Sequence, residues 1–255
     1  THRLTHQPLT AAPPQTSCGG TNPKETTMSL FRKNTTTASS IIDLTKKAAI
    51  SLEKAGLAGQ KAAVYLVLDH SGSMTTFYNR GDVQRLAEQA LGLSANLDDD
   101  GTVPVIYFGS HAETPFDVRL DNHAGIIDRT HQRIRWGSTN YVAAMNTVAD
   151  DYRNSLATDP ALVIFQTDGE PNDRSLVERA LRDLSSEPLF FAFVGFGGRV
   201  SFLEQLDTLD GRRVDNASFF HADDPRAVSD EDLYDGITGE FAQWLTAART
   251  AGVLR

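Results

Sequence analysis

The sequence predicts an α/β fold: a doubly wound, mostly parallel six-stranded sheet with one short antiparallel edge strand and helices on both faces. Three observations predict it. Apolar runs of strand length alternate with segments of helical period from residue 39 onward. The runs Ala62–Leu68 and Ala161–Gln166 are apolar at nearly every position, as in a strand covered on both faces. Regular strand–helix alternation implies right-handed crossovers and a parallel sheet.

Taken in order, Ile41, Leu44, Ala48 and Leu52 recur at helical spacing, with Ser39 or Ser40 as N-cap and Gly56 and Gly59 as stop. The strand Ala62–Leu68 follows and runs into Asp69. Val83, Leu86, Ala87, Ala90, Leu91 and Leu97 mark an amphipathic helix. Val103–Phe108 is the second strand, and Phe116–Leu120 a short alternating strand at an edge. Residues 122–133 read as a helix, and Met145, Val148, Ala149, Tyr152 and Leu156 line one face of the next. Ala161–Gln166 is a strand just before Asp168. Then come a helix at Arg174–Leu184, a strand at Leu189–Val194 and a glycine-rich turn. A short helix at Phe202–Leu209 and a strand at Ala217–His221 precede the final helix. That helix is lined by Leu233, Ile237, Phe241, Trp244, Leu245 and Ala248 and capped by Ser229 or Asp230. No internal repeat is visible.

Composition limits the function classes. The 255 residues are 40% hydrophobic and 22% charged, which is globular composition. Lys and Arg number 24 against 33 Asp and Glu, a net charge of −9 that argues against gripping nucleic acid or an anionic membrane. A single cysteine, Cys18, excludes an internal disulfide framework and any Cys-rich metal site. No apolar run approaches the ~18 residues of a membrane span. Residues 1–27 hold no apolar stretch of signal-peptide type, so a cytoplasmic location is expected. Residues 1–38, rich in Thr, Ser, Pro, Gly and Asn, read as a disordered tail, and residues 39–255 as one domain. Met28 opens Met-Ser-Leu-Phe-Arg-Lys-Asn, which reads as a natural start, so residues 1–27 are expected to be an upstream extension, with a genuine flexible tail as the alternative.

Three polar clusters stand at strand ends or helix starts. They are Asp69-His70-Ser71-Gly72-Ser73, Gly137-Ser138-Thr139-Asn140 and Thr167-Asp168-Gly169-Glu170. Ligands of doubly wound sheets bind beyond the carboxyl ends of the strands, so these clusters are expected to converge. Hard oxygen donors at one spot suit Mg²⁺, with Mn²⁺ or Ca²⁺ as alternatives.

Asp69-x-Ser71-x-Ser73, Thr139 and Asp168, in this order and context, resemble the metal-ion-dependent adhesion site of von Willebrand factor A domains. The resemblance covers roughly residues 40–250. It implies that Ser71, Ser73 and Thr139 are hydroxyl ligands and that Asp69 and Asp168 act directly or through water. It implies a binding module, not an enzyme, whose ion captures a carboxylate from a protein partner. The strings Leu-Asp-His-Ser-Gly-Ser-Met and Gln-Thr-Asp-Gly-Glu-Pro-Asn-Asp are similar to bacterial A-domain proteins of tellurium-resistance and stress clusters, and to the copine A domain.

Other features receive plainer readings. His70 is expected to point at solvent. Asp173 is expected to cap a helix, with Glu170 and Asn172 beside it. Gly195-Phe196-Gly197-Gly198 lacks the third glycine of a dinucleotide fingerprint, because Val200 stands there, and reads as a tight turn. The acids from Asp207 to Asp235 read as a solvated face. Two alternative functions are a Mg²⁺-dependent phosphoryl-transfer enzyme of haloacid-dehalogenase type and a metal-free scaffold. The former needs an acid two residues after its nucleophile, where this chain has Ser71.

Limited proteolysis followed by mass spectrometry is expected to leave a core starting near Ser39. Survival of residues 1–38 for as long as the core would overturn that boundary.

Overall fold

The computed structural model describes residues 40–254. The expected tail over residues 1–38, the start at Met28, Cys18 and a cap at Ser39 lie outside the described residues. Helix α1 covers residues 40–54. The order continues β1 (Ala63–Asp69), α2 (Thr75–Asn79), α3 (Asp82–Leu97), β2 (Val103–Phe108), β3 (Phe116–Val118) and α4 (Ile126–Thr130). It ends with α5 (Tyr141–Ser155), β4 (Ala161–Thr167), α6 (Arg174–Leu184), β5 (Leu189–Phe196), α7 (Ser201–Asp207), β6 (Ala217–Ala222) and α8 (Asp230–Thr250).

The six strands form one sheet in the order β3-β2-β1-β4-β5-β6. All pairings are parallel except β2–β3, which is antiparallel through Val103↔Val118 and Val105↔Phe116. The expected fold class is therefore the observed one. The chain builds β1, steps outward to β2 and β3, then returns across β1 to add β4 on its other side. The switch of direction lies between β1 and β4, where an open α/β sheet forms its crevice.

Strand pleating divides the core in two. Val64, Leu66 and Leu68 of β1 face a layer holding Leu44, Leu86, Leu91, Phe241 and Trp244. Tyr65 and Val67 face the opposite layer, with Tyr141, Met145, Val148, Val177 and Leu203. Successive side chains point to opposite faces, so a strand buried on both sides must be apolar throughout. Among the described residues no helix is long and apolar enough to cross a membrane.

Helix starts follow local chemistry. Asn140 Oδ1 accepts the Ala143 N–H at 3.1 Å, Asp173 Oδ1 accepts the Leu176 N–H at 3.1 Å, and Ser229 Oγ accepts the Asp232 N–H at 3.0 Å. Each satisfies a donor that the first helical turn leaves unpaired. The choice between Ser229 and Asp230 as the α8 cap thus falls to Ser229.

Some expectations need correction. The helix expected over residues 122–133 is only α4 plus a 3₁₀ turn at His131–Arg133. Gly125, at φ 63°, sets the turn that starts α4 late. Strand β3 stops at Val118 because Asn122 Oδ1 takes the Arg119 N–H at 2.8 Å and closes a turn. The 3₁₀ turn Gly72–Met74 and α2 were not evident from periodicity, being too short to show one. Asp230 is not a solvated acid. It accepts Lys47 at 3.0 Å, Arg85 at 2.7 Å and Gln89 at 2.8 Å, tying α8 to α1 and α3.

Gly92 shows how closely α1 and α3 pack. A Cβ there would meet Leu44 Cβ at 2.8 Å and the Leu44 carbonyl carbon at 3.1 Å. Helix propensity alone favours alanine over glycine by ~1 kcal/mol. Overpacking against a backbone atom costs about 1–3 kcal/mol and outweighs it. Gly92→Ala is expected to lower the melting temperature; an unchanged or raised value would show that α1 does not dock here.

Candidate functional site

Strand β1 delivers Asp69 to the carboxyl edge of the sheet with its side chain fully buried. Two donors meet it. The Ser71 N–H reaches Oδ1 at 2.7 Å and the Thr167 hydroxyl reaches Oδ2 at 2.5 Å. The Tyr78 hydroxyl donates to the Asp69 main-chain carbonyl at 3.0 Å. The chain then turns at Ser71, whose Oγ lies 3.1 Å from Ser73 Oγ. Ser73 Oγ donates to Asp168 Oδ1 at 2.8 Å, across 95 positions of sequence. Asp69, Ser71, Ser73 and Asp168 therefore form one continuous chain of polar contacts.

Thr139 joins through the backbone. The Gly137 N–H donates to His70 O at 3.0 Å, and Gly137 bridges to Ser71 in parallel fashion. Only glycine fits this approach: a Cβ on Gly137 would meet Ser110 N at 2.5 Å and Gly109 Cα at 3.0 Å. From the far side Asn172 Oδ1 accepts the Thr139 N–H at 3.2 Å, and the Asn172 N–H donates to Thr139 O at 2.9 Å. The three sequence clusters thus meet at one edge of the sheet. The backbone contacts lock the Thr139 loop between β1 and the loop after β4, while the Thr139 hydroxyl makes no hydrogen bond among the described residues.

The electrostatics are those of paired acids without a counter-charge. Burial pushes Asp69 up to about 6, against the Thr167 and Ser71 donors that hold it down; nearby Asp168 adds repulsion. Burial also raises Asp168, opposed by Ser73. Among the described residues no Lys or Arg pairs with either carboxylate. Ser73 is exposed and Asp168 half-buried, so the arrangement opens to solvent.

His70 is not directed at solvent. It is 1% exposed, and its ring stacks on Trp136 with centroids 3.8 Å apart and an angle of 4°. Tyr78 and Tyr107 enclose it edge-on at 5.1 and 5.9 Å, and His70 Nε2 lies 3.4 Å from His131 Nδ1. Burial lowers His70 to about 4, so it stays neutral. A polar residue flanked by Asp69 and Ser71 carries no sequence signal of burial; only Trp136, 66 positions later, supplies the partner. Asp173 caps α6 as expected, and Glu170 pairs with Arg174 at 3.0 Å. Asn172 has the separate task of holding Thr139.

Residues with a supporting role went unassigned in the sequence. Thr167 donates to Asp69. The Tyr141 hydroxyl donates to Gly169 O at 2.5 Å and steadies the loop carrying Asp168. Ser110 Oγ accepts the Ser138 N–H at 3.2 Å. Thr167 had a signal, a hydroxyl at the end of a strand that is apolar up to Gln166; Ser110 and Tyr141 had none.

Comparison with known proteins agrees with this fold. The family described as "vWA found in TerF C terminus" matches residues 61–254. The uncharacterized protein YcbR of Bacillus subtilis is 34% identical over 221 residues, 84% of this chain and 90% of that protein. Among solved structures, the fold is similar to proximal thread matrix protein 1 of the mussel byssus with a zinc-occupied MIDAS motif. That match has 17% identity and a TM-score of 0.53, covering 72% of this chain and 48% of that one. It is also similar to the manganese-loaded TRAP protein of Plasmodium vivax, at 18% identity and a TM-score of 0.50, covering 70% and 75%. The chain spans about half the length of the mussel protein. At these identities the likeness to solved structures shows the fold.

The raised Asp69 carboxyl sets a pH signature in chelator. Below about pH 4 both folded and unfolded forms hold the proton. Between pH 4 and 6 the unfolded form loses it first, so stability falls as pH rises, by about 3 kcal/mol, and stays lower above. Asp69→Asn is expected to lack this decline in denaturant titrations run across pH 4–8. Parallel curves for wild type and variant would refute the assignment.

Proposed function

The chain belongs to the TerF-type von Willebrand factor A family, and from that premise we propose that it is a divalent-cation-dependent binding module whose ion captures an acidic side chain of a protein partner. The observation that carries the proposal is the chain of contacts Asp69–Ser71–Ser73–Asp168, with one carboxylate buried, one half-buried and no Lys or Arg among the described residues paired with either. Asp69, Ser71, Ser73, Asp168 and, from its pinned loop, Thr139 are the residues that would hold the ion. Among the described residues no three of His, Cys, Asp and Glu gather as a metal group, so hydroxyl oxygens are needed to complete the set. Such a set suits a hard cation, Mg²⁺ or Mn²⁺ before Ca²⁺. When bound, the ion supplies a Lewis-acidic position for an outside carboxylate.

The residues divide the task. Thr167 and the Ser71 N–H fix the Asp69 carboxylate in place before any ion arrives. Ser71 and Ser73 contribute oxygen without charge, which leaves the ion attractive to an anion. Asn172 and Gly137 set the distance of Thr139 through the backbone, so its hydroxyl stays free to approach or withdraw. The zinc- and manganese-loaded structures of similar fold support a bound divalent ion. A non-catalytic role is part of the proposal. It is supported by Ser71, a hydroxyl where phosphoryl transfer would need an acid. A setting in bacterial tellurium resistance or stress response is supported by the TerF name of the family.

Added Mn²⁺ or Mg²⁺ is expected to raise the melting temperature of the wild type, by about 2.7 kcal/mol of stability at one hundred times Kd. Asp69→Asn is expected to abolish the response and Thr139→Ala to weaken it. An equal response in wild type and Asp69→Asn would sink the site. Turnover of p-nitrophenyl phosphate that disappears in Asp69→Asn would establish the phosphoryl-transfer alternative instead.

A further inference from the structure

The loop that approaches Ser71 carries an exposed indole that the ion site does not require. Trp136 is 41% exposed, whereas the chain's other tryptophan, Trp244, is 2% exposed. The inner face of Trp136 is covered by the buried His70 ring, itself walled by Tyr78 and Tyr107. Its backbone is one residue step, ~3.8 Å, from Gly137, which stands one strand spacing, ~4.8 Å, from Ser71. A ring held from behind loses little freedom when a ligand covers its front, which is why such side chains serve as anchors.

Charge gives the second observation. Residues 126–136 contain Arg129, Arg133 and Arg135 against one acid, Asp128, on a chain of net charge −9. Arg129 is engaged with the carbonyls of Ala124 and Asn122. Arg133 and Arg135 are exposed, and among the described residues their side chains form no ion pair. Arg80, Arg85, Arg153, Arg174 and Arg182 all pair with carboxylates. Two free cations on an acidic protein, on the loop that leads into the ion site, are placed to attract further anions.

We propose that this rim selects the partner, and that the partner is an extended acidic peptide segment. The carboxylate offered to the ion is flanked by an aromatic side chain, which covers Trp136, and by a further acid, which meets Arg133 or Arg135. The proposal rests on the ion-dependent reading above and names the partner class for that site. The remaining acidic surface repels such a segment and leaves this edge as its landing point.

The test uses three fluorescein-labelled peptides and the full chain. The first is Gly-Glu-Phe-Asp-Phe-Glu-Gly, symmetric so that direction along the rim does not matter. The second has both Phe replaced by Ala, and the third both Glu by Gln. Anisotropy in Mn²⁺ is expected to rank the first tightest, by about 3–10-fold over the second, the usual size of an aromatic contact. Trp136→Ala is expected to erase the preference for Phe, and Trp136→Phe to keep most of it. Arg133→Gln combined with Arg135→Gln is expected to erase the preference for Glu. Each variant is expected to retain the Mn²⁺-dependent rise in melting temperature. If wild type shows that rise but binds no peptide, or if the preferences survive in the variants, the rim proposal falls and the ion reading stands. If wild type shows no rise, or binds the peptides equally in chelator, the ion reading fails and the rim proposal with it.

Discussion

Everything at the functional edge depends on one buried carboxylate. Asp69 is fully enclosed, yet it ends one of the two central strands and is met by donors from its own turn and from β4, the other. A carboxylate in that position is costly unless hydrogen-bonded or paired with a cation. Two donors lower the cost without cancelling it, and the residual shows as a carboxyl that holds its proton to about pH 6. The fold tolerates this because the strand beneath is apolar on both faces. The local instability is stored where a bound cation would release it.

Topology explains why the other parts arrive at the same place. The chain leaves β1 in one direction and returns on its other side as β4, so the loops after these two strands open a crevice between them. Ser71 and Ser73 come from the first loop and Asp168 from the second. The loop bearing Thr139 comes between them in the chain, on the way into α5. It is drawn in by the Gly137–Ser71 bridge on one side and Asn172 on the other. Rigid elements stand behind each contact: Tyr78 under the turn after β1, Tyr141 under the turn after β4. Thr139 is thus placed through its backbone, whereas Asp69, Ser71, Ser73 and Asp168 are also joined through their side chains. Of the three hydroxyls, that of Thr139 alone makes no hydrogen bond among the described residues, while those of Ser71 and Ser73 bond within the cluster.

Around this polar centre lies an aromatic wall of a different character. His70, Trp136, Tyr78, Tyr107 and His131 pack as a group, and the histidine at its heart is neutral because burial disfavours its charge. Its outer member, Trp136, is exposed, as are Arg133 and Arg135 beside it in the chain. The carboxylate–hydroxyl chain and the aromatic group are thus neighbouring but separate sets of residues.

The sequence by itself determined the fold class, the two-faced core and the convergence of the three polar clusters. These follow from period and position: a strand buried on both sides has to be apolar throughout, and strand ends in a parallel sheet share one edge. It also determined that oxygen donors, not thiolates or imidazoles, would stand there. Only the tertiary structure decided the burial of His70, the pairing of Asp230 with Lys47 and Arg85, the late start of α4 and the pinning of Thr139 by Asn172. Each depends on groups far apart in the chain, or on a turn too short to have a period. A side chain's charge state and direction are set by neighbours that the local sequence does not name.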